Sequence, residues 1–351
     1  MRKKNMPDFL IRRSDIFNFL PQEPAWFCNA GHHRARARYK RKLRSEYQLE
    51  TLDACPLCGR KEMSPIAMQE RHGLPVSVML CENCALAFNN PRPDSAALSD
   101  HYRRDYREIE RGIVGNIHEF MFDLQEAKAP GIWTTIKEHA RPTSTLKSLR
   151  IAEIGCGEGG IVGWLARNVD GVHATGFELN ADAVSYGKSK GLDLRYEIFR
   201  GGEAFDVIIL EQVLEHLSDV SGFLKIASKA QKHGDLLYIG VPGLLDAAAH
   251  YNSNFISYLE YGHLSHFCLH TLERAVAPHG YELVYGDETI RSLFRRVEDA
   301  SVALSSKPVS AEQLKNYLLA TESEFQTRAN HVLTNWRPYA KYILTYLLSY
   351  L

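Results

Sequence analysis

Glycines and carboxylates with a distinctive spacing lie near the middle of the chain. Glu153 comes just before a glycine turn made by Gly155, Gly157 and Gly159, and Glu178 follows about twenty residues after the last of these glycines. A glycine turn between a strand and a helix presents backbone N–H groups to a ligand, and an acid at the end of the next strand can bind ribose hydroxyls. The spacing predicts a site for a dinucleotide or for another adenosyl ligand.

The segments around these residues predict the elements that position them. Apolar runs typical of buried parallel strands alternate with helical patterns, and the expected strands are Leu149–Ile154, Val172–Phe177, Leu194–Phe199, Asp206–Leu210, Leu236–Pro242 and Tyr281–Tyr285. The strand at Asp206–Leu210 ends in Glu211 and Gln212, at the edge where an open α/β sheet binds its ligand. We therefore expect these two residues to belong to the same site.

Two details favour an adenosyl ligand other than a dinucleotide. Glu153 lies inside the first strand, where a dinucleotide fingerprint usually has an apolar residue. The glycines are spaced Gly-x-Gly-x-Gly, although Gly160 complicates that count. Both alternatives stay open on the residues alone.

The segment 153–159, Glu-Ile-Gly-Cys-Gly-Glu-Gly, resembles motif I of the class I S-adenosylmethionine (SAM)-dependent methyltransferases. Residues 177–180 resemble their second motif, residues 205–217 their fourth strand and the turn after it, and residues 236–242 their fifth strand. The resemblance covers roughly Ser148–Arg295 and implies a Rossmann-like α/β fold with a doubly wound, mostly parallel sheet. It implies SAM as cofactor, with a predicted binding set of Glu153, Gly155, Gly157, Gly159, Glu178, Leu179, Glu211 and Gln212.

One part of the family pattern is missing. The Asp expected near the adenine is absent from the short connection after the third strand, where Glu203 is the remaining candidate. The adenine contact is therefore not assigned from the sequence.

Two matched Cys-x-x-Cys pairs, Cys55/Cys58 and Cys81/Cys84, precede this region. Two such pairs can supply four thiolates to one tetrahedral Zn²⁺, and a complete thiolate set leaves no position for substrate, so a structural zinc site is predicted. The alternatives are four reduced core cysteines or a redox pair. The chain has seven cysteines, an odd number that favours a reducing cytoplasm over disulfides.

The order Cys-x-x-Cys, strand, Asn-Pro-Arg-Pro and Tyr-rich helix, over roughly Cys55–Arg107, resembles the N-terminal module of bacterial methyltransferases of sugar and surface-polysaccharide pathways. Sugar C-methyltransferases with this module carry Glu-His where this chain has Gly262-His263. That departure weakens the expectation of carbon methylation and leaves His263 as the expected general base. His216 and Glu215, just after the fourth strand, are further catalytic candidates, and a purely structural role is the alternative for each histidine.

The formal net charge is zero, with 42 basic and 42 acidic residues, so no global field favours nucleic acid. A local basic cluster runs from Arg34 to Arg44; a solvated helical face is one interpretation, and contact with a phosphate-bearing substrate or RNA is the other. No apolar run is long enough for a membrane span. No apolar region follows the basic N-terminus, so no secretory signal is expected.

The expected organisation is five consecutive segments: a basic, partly helical segment 1–50, a zinc ribbon 51–110, a connecting helix 111–147, the methyltransferase domain 148–296 and a helical extension 297–351. Ser310 is the expected N-cap in the extension. The apolar tail Tyr339–Leu351 is expected to pack on its own domain or on a second subunit, as in a homodimer.

These residues together predict a cytoplasmic SAM-dependent methyltransferase acting on a small molecule of the sugar type. The alternatives are a zinc-ribbon RNA methyltransferase, which the neutral charge disfavours, and a SAM-binding protein without catalysis.

Overall fold

The computed structural model describes residues 37–42, 48–71, 75–102, 106, 117–139, 148–298 and 302–334. The strands in this part of the chain are β1 Leu49–Glu50, β2 Met63–Gln69, β3 Pro75–Cys81, β4 Ala87–Asn89, β5 Arg92–Pro93, β6 Leu149–Ile154, β7 Val172–Glu178, β8 Leu194–Tyr196, β9 Val207–Glu211, β10 Leu236–Gly240, β11 Ser265–His266, β12 Tyr281–Tyr285 and β13 Arg291–Arg296. The α-helices are α1 at 37–42, α2 Ser95–Asp100, α3 Ile117–His139, α4 Gly160–Asn168, α5 Ala181–Ser189, α6 Val220–Lys229, α7 Ala247–His250, α8 Phe255–Tyr258, α9 Leu269–Val276 and α10 Ala311–Thr334.

The chain packs into two compact units. Unit 1 takes its described residues from Met1–Ile113, Leu244–His266 and Val309–Leu351, and unit 2 takes them from Val114–Gly243 and Phe267–Pro308. This division differs from the five consecutive segments expected from the sequence. The physical reason is a strand pairing, because β11 lies antiparallel to β4 and so ties the segment before Phe267 into unit 1.

Unit 2 is built on a seven-stranded sheet with the order β12-β13-β10-β9-β6-β7-β8. The five strands from β6 to β10 are parallel, while β13 runs antiparallel to both β10 and β12. The predicted Rossmann-like, doubly wound, mostly parallel sheet is confirmed. The strand order reverses between β6 and β9, and at such a point the carboxyl ends of the strands open a ligand crevice.

Burial explains why the central strands of unit 2 read as apolar runs. β9 is buried along its first four residues, and β10 is buried throughout. Ile151 of β6 and Val207 of β9 share a core cluster with Ala129, Ile132 and Ile136 of α3. The connecting helix expected within 111–147 is therefore part of the unit 2 core.

Three elements differ in extent from the sequence prediction. β8 ends at Tyr196, three residues before the predicted strand end, and β13 was not predicted as a strand. The final helix starts at Ala311 instead of near Val297, because Ser310 caps it: the Ser310 Oγ accepts from the Gln313 N–H at 3.1 Å, and the Gln313 side chain accepts from the Ser310 N–H. The predicted N-cap is thus confirmed.

Unit 1 contains a four-stranded antiparallel sheet, β11-β4-β3-β2, and a short β1-β5 pair. Its core combines Val78 and Leu80 of β3 with Phe255 of α8 and Leu314 of α10. Tyr39 of α1 is also fully buried there, so the described part of the basic segment is anchored by an aromatic side chain.

Residues 1–36 of the expected basic segment, which include Arg34 and Arg36, lie outside the described residues, as do Arg44 and the tail Tyr339–Leu351. Within the described part, no helix combines the length and the apolar character needed to cross a bilayer.

Candidate functional site

The glycine turn follows β6 in unit 2 and leads into α4. Gly155, Gly157 and Gly159 have φ values of +67°, +53° and +83°, in the left-handed region that side chains disfavour. The N–H groups of Gly155 and Cys156 donate to the Phe177 carbonyl at 2.8 and 3.2 Å, which fixes the turn against β7. A Cβ at Gly155 would lie 2.6 Å from the Val213 Cγ2, so this position also needs glycine for space.

Glu178 ends β7 and binds the same turn. Its Oε2 accepts from the Gly157 N–H at 2.9 Å, while its Oε1 accepts from the N–H groups of Leu179 and Asn180 at 2.6 and 2.8 Å. A carboxylate offers about four lone-pair positions, so capacity remains for a donor from a ligand. The structure therefore brings this acid into contact with the glycine turn.

Glu153, at the end of β6, is 3% exposed. Burial raises its pKa well above the usual value, and the nearby carboxylates of Glu211 and Glu178 add to the shift. Its Oε2 has no hydrogen-bond partner among the described residues. A buried carboxyl beside two further carboxylates is suited to a cationic ligand, because a positive charge would offset their mutual repulsion.

Glu211 ends β9, and its Oε1 lies 2.8 Å from the Lys128 Nζ on α3. Gln212 follows with φ +59°, and its N–H donates to the Gly240 carbonyl at 2.7 Å. Glu211 thus ends the strand next to β6, with Gln212 directly after it, because Ile154 of β6 and Leu210 of β9 are register partners. The predicted members Glu153, Glu211 and Gln212 therefore meet at one edge of the sheet.

Helix α3 supplies side chains that the sequence analysis missed. Gln125 Oε1 accepts from the Gly160 N–H at 3.1 Å, and Glu158 is bound by His118 Nδ1 at 2.8 Å and by Gln125 Nε2 at 3.4 Å. A Cβ at Gly160 would contact the α3 backbone. Nothing in the local spacing of α3 signals this role, since only tertiary packing brings the helix to the turn.

Two acids follow β8: Glu197 comes directly after the strand and Glu203 lies further on. Glu197 lies 3.8 Å from Arg195, whereas Glu203 pairs with Arg195 and, at 2.6 Å, with Arg150. Hydrogen bonds from Arg195 and then from Arg150 lower the pKa of Glu203. Leu179, Tyr196 and Ile198 are 61%, 60% and 56% exposed at the carboxyl ends of β7 and β8, so an apolar surface is available there.

The four predicted zinc ligands, Cys55, Cys58, Cys81 and Cys84, converge in unit 1. Their sulfurs all lie within 4.8 Å of one another, with 3.6 Å between Cys55 and Cys84 and 3.5 Å between Cys58 and Cys81. Four thiolates at about 2.3 Å from one ion stand about 3.8 Å apart, so the set fits a tetrahedral Zn²⁺.

His263 of unit 1 is 5% exposed, and its Nε2 lies 3.3 Å from the Glu260 Oε2. The same oxygen accepts from the Arg71 Nη2 at 2.7 Å. Glu260, two residues before Gly262, therefore places a carboxylate beside His263. A Cβ at Gly262 would lie 2.9 Å from the Tyr102 ring, which explains why that position is glycine.

The other predicted catalytic residues occupy a 3-10 turn of unit 2 at Leu214–His216. Glu215 is 1% exposed, and the His216 Nε2 lies 3.8 Å from the Glu215 Oε1, too far for a hydrogen bond. His266 of unit 1 faces Asn89 at 3.2 Å, and burial lowers the pKa of His266 to about 3. His266 is thus a neutral structural group.

Sequence comparison matches residues 106–285, just over half of the chain, to the profile of a methyltransferase domain family. The ubiquinone biosynthesis O-methyltransferase of Rhizobium rhizogenes is 33% identical over 108 residues, which cover 28% of this chain and 42% of that relative. The chain therefore spans less than half the length of this curated relative.

Structure comparison finds a SAM-dependent methyltransferase from Mesorhizobium loti with 15% identity and a TM-score of 0.38. The superposed region covers 48% of this chain and 98% of that one. A sugar N-methyltransferase from Streptoalloteichus has 13% identity and a TM-score of 0.39, covering 53% and 95%. Scores this low assign no function, so the profile match is the informative one.

Proposed function

Because the chain belongs to the methyltransferase domain family, we propose that it is a SAM-dependent methyltransferase acting on a small-molecule acceptor. The observation that supports this most directly is the contact between Glu178 and the Gly157 N–H, which joins the two predicted halves of the cofactor site. SAM would supply an electrophilic methyl group. The chain would supply binding, orientation and proton removal.

The residues of unit 2 divide the binding of SAM between them in this proposal. Glu178 would accept from the ribose hydroxyls, and the left-handed glycine turn would let the ligand approach the backbone closely. Leu179, with its exposed side chain, would cover one face of the adenine. Glu153, Glu211 and Gln212 would face the amino-acid half.

We further propose His263 as the group that removes a proton from the acceptor. A neutral imidazole can take that proton, and the adjacent Glu260 carboxylate, itself held by Arg71, would stabilise the imidazolium that forms. His216 and Glu215 stay secondary candidates. His263→Ala should abolish turnover and leave SAM affinity unchanged, whereas a fully active variant would remove His263 from the mechanism.

The four cysteines of unit 1 support a structural Zn²⁺ in the same proposal. A closed four-thiolate set leaves no coordination position for substrate, so the ion would stabilise the fold of unit 1 and take no part in the chemistry. Thiolate ligation of this kind, with the reduced cysteines of the described residues, also supports a cytoplasmic location.

The acceptor we propose is a sugar or a sugar-derived intermediate of surface-polysaccharide or natural-product biosynthesis. It rests on the resemblance of the Cys55–Arg107 region to the module of sugar-pathway methyltransferases. The test is transfer of a labelled methyl group from SAM to a panel of nucleotide sugars and glycans by the zinc-loaded full chain. Turnover on one class supports the proposal, and SAM binding without turnover on any of them contradicts it.

The same assay separates the two alternatives. Methylation of RNA, with an affinity that falls steeply with salt, would support an RNA methyltransferase. In the described part of the basic cluster, at 37–42, Tyr39 is buried while Arg38 and Arg41 are exposed, so this alternative is left to the assay. SAM binding with no acceptor of any kind would indicate a protein without catalysis. A homodimer through the tail stays a separate proposal, tested by light scattering with and without 339–351.

A further inference from the structure

Two histidines of unit 1, His263 and His266, lie side by side, with 6.3 Å between their ring centroids. Both are buried, at 5% and 1% exposure. Each ring has one nitrogen held by a neighbouring side chain. These contacts therefore show which nitrogen of each neutral ring carries the proton and which one accepts.

A chain of hydrogen bonds fixes the tautomer of His266. The Tyr261 carbonyl can only accept, so the Asn89 Nδ2 donates to it at 3.4 Å and the Asn89 Oδ1 faces His266. That oxygen accepts from the His266 Nε2 at 3.2 Å. Burial lowers the pKa of His266 to about 3, so the ring is neutral and its lone pair lies on Nδ1.

The His266 Nδ1 is a buried acceptor with no hydrogen-bond partner among the described residues. Buried polar atoms in native proteins almost always have a partner, which can be an ordered water or a ligand. Leaving such an atom unsatisfied destabilises the folded state. His266 is thus held by the fold through its Nε2, while its Nδ1 needs a donor that the described part of the chain does not supply.

The contact with Glu260 fixes the ring of His263 in the same way. A carboxylate only accepts, so the Glu260 Oε2, 3.3 Å from the His263 Nε2, places the proton of the neutral ring on Nε2. The Arg71 Nη2 donates to the same oxygen at 2.7 Å and holds the carboxylate in position. The nitrogen of His263 that takes a proton is therefore Nδ1.

The two neighbouring rings thus accept at the same ring atom, and their separation is one that a small ligand can bridge with two hydrogen bonds of about 2.8 Å. We propose that the acceptor carries two neighbouring hydroxyl groups, one bound by the His263 Nδ1 and the other by the His266 Nδ1. This inference rests on the proposed function and deepens it, since it makes the acceptor a diol. Sugars and aromatic diols share this chemistry.

The two histidines have different roles in this proposal. His263 takes the proton of the hydroxyl that is methylated, because the Glu260 carboxylate stabilises the imidazolium that forms. His266 has the neutral amide of Asn89 as its partner, so it binds the second hydroxyl and leaves it protonated. The diol is therefore methylated at one oxygen, and His266 is a specificity-determining residue.

The first experiment needs no turnover. In the zinc-loaded full chain labelled with 15N-histidine, His263→Gln and His266→Gln assign the ring signals of the two residues. Both neutral rings should carry the proton on Nε2, and His266 should stay neutral at pH 5. Addition of a diol, either catechol or UDP-glucose, should shift the Nδ1 signals of both. A proton on Nδ1 of either neutral ring would overturn the proposal.

The second experiment measures kcat/KM with labelled SAM on matched acceptors: catechol against phenol, and UDP-glucose against its 2-, 3- and 4-deoxy analogues. The parent should prefer the diol by roughly three- to tenfold, the effect of one hydrogen bond. His266→Phe keeps a ring of similar size and should lose that preference. The control is His250→Phe, since His250 is a 61% exposed histidine of unit 1, and it should keep the preference of the parent.

Three outcomes would overturn the role of His266. An equal loss on both members of a pair in His266→Phe would mean that this residue only supports the fold. Equal rates of the parent on diols and on their deoxy counterparts would remove the second hydroxyl from recognition. A His266 Nδ1 signal that neither diol shifts would mean that an ordered water is its partner.

The two acceptor pairs also separate the sources of the diol. A preference seen with UDP-glucose supports a sugar diol, and one seen with catechol supports an aromatic diol. A parent protein that binds SAM and methylates no acceptor would instead contradict the proposed function. The histidine spectra would still test the pair in that case, because they need no methyl transfer.

Discussion

Gly160 is the position at which the packing of α3 on the glycine turn can be tested by one methyl group. A Cβ there would contact the Phe122 carbonyl and would lie 2.6 Å from the Glu126 nitrogen and 2.7 Å from the Gln125 Cβ. Two of these atoms are backbone and cannot rotate away. Gly160→Ala must therefore push α3 outwards, and the bond from the Gly160 N–H to Gln125 lengthens with it.

The size of the effect follows from three terms. Overpacking a close-packed contact costs about 1–3 kcal/mol, and the hydrogen bond is worth about 1 kcal/mol. Replacing glycine by alanine at a helical position increases the free energy of unfolding by about 0.5–1 kcal/mol. The expected loss of unfolding free energy is about 1–3 kcal/mol, or several degrees in the melting temperature of a unit this size.

Gly131→Ala is the matched control, because Gly131 lies inside α3 and nothing stands within 4 Å of its Cβ position. It should stabilise by about 0.5–1 kcal/mol. Urea unfolding followed by fluorescence suits both variants, since Trp133 on α3 and Trp164 on α4 pack on the same core cluster. Trp26 and Trp336 would be replaced by Phe in the parent. Equal shifts for both variants, or a stabilised Gly160→Ala, would refute the steric argument.

The remaining predictions concern three features: titrating carboxylates, the cysteine cluster and the cap of α10. Burial raises the pKa of Glu153, so the parent protein should lose stability as pH rises above 4.5, and Glu153→Gln should not show that loss. The pKa of Glu203 is lowered, so the parent should lose the stability that this carboxylate contributes as pH falls, and Glu203→Gln should not show that loss. Cys58→Ser should lower the zinc content of the purified chain below one ion, whereas Cys268→Ser, outside the cluster, should leave it at one. Ser310→Ala should destabilise unit 1 by about 1 kcal/mol, measured by urea unfolding, because it removes the cap of α10.

Each of these changes has an outcome that would contradict its reasoning. A parent and a Glu153→Gln variant with parallel pH–stability curves would mean that the Glu153 carboxyl is not strained by burial. Equal zinc content in Cys58→Ser and Cys268→Ser would mean that the zinc is not bound by the four-cysteine cluster. A Ser310→Thr variant, which keeps the hydroxyl, should be as stable as the parent. A loss of stability as large as that of Ser310→Ala would mean that Ser310 acts through packing and not through capping.

Much of unit 2 could be predicted from the sequence because its signals are local. Buried parallel strands need continuous apolar runs, and a left-handed turn needs glycine, so β6, β7, β9 and the turn at Gly155–Gly159 were anticipated. The spacing from the turn to Glu178 likewise follows from the length of one helix and one strand. The cap at Ser310 was anticipated for the same reason, since a cap is read over four residues.

Tertiary structure decided the rest, because it depends on residues far apart in the chain. From the sequence alone, α3 was expected only to connect two domains. Its packing brings Gln125 to Gly160 and Lys128 to Glu211. Pairing of β11 with β4 placed the segment before Phe267 in unit 1. The acid beside His263 turned out to be Glu260, held by Arg71 from almost two hundred residues away, and no spacing rule reaches over that distance. The sequence by itself determined the kind of site; contacts of long sequence separation decided which side chains complete it.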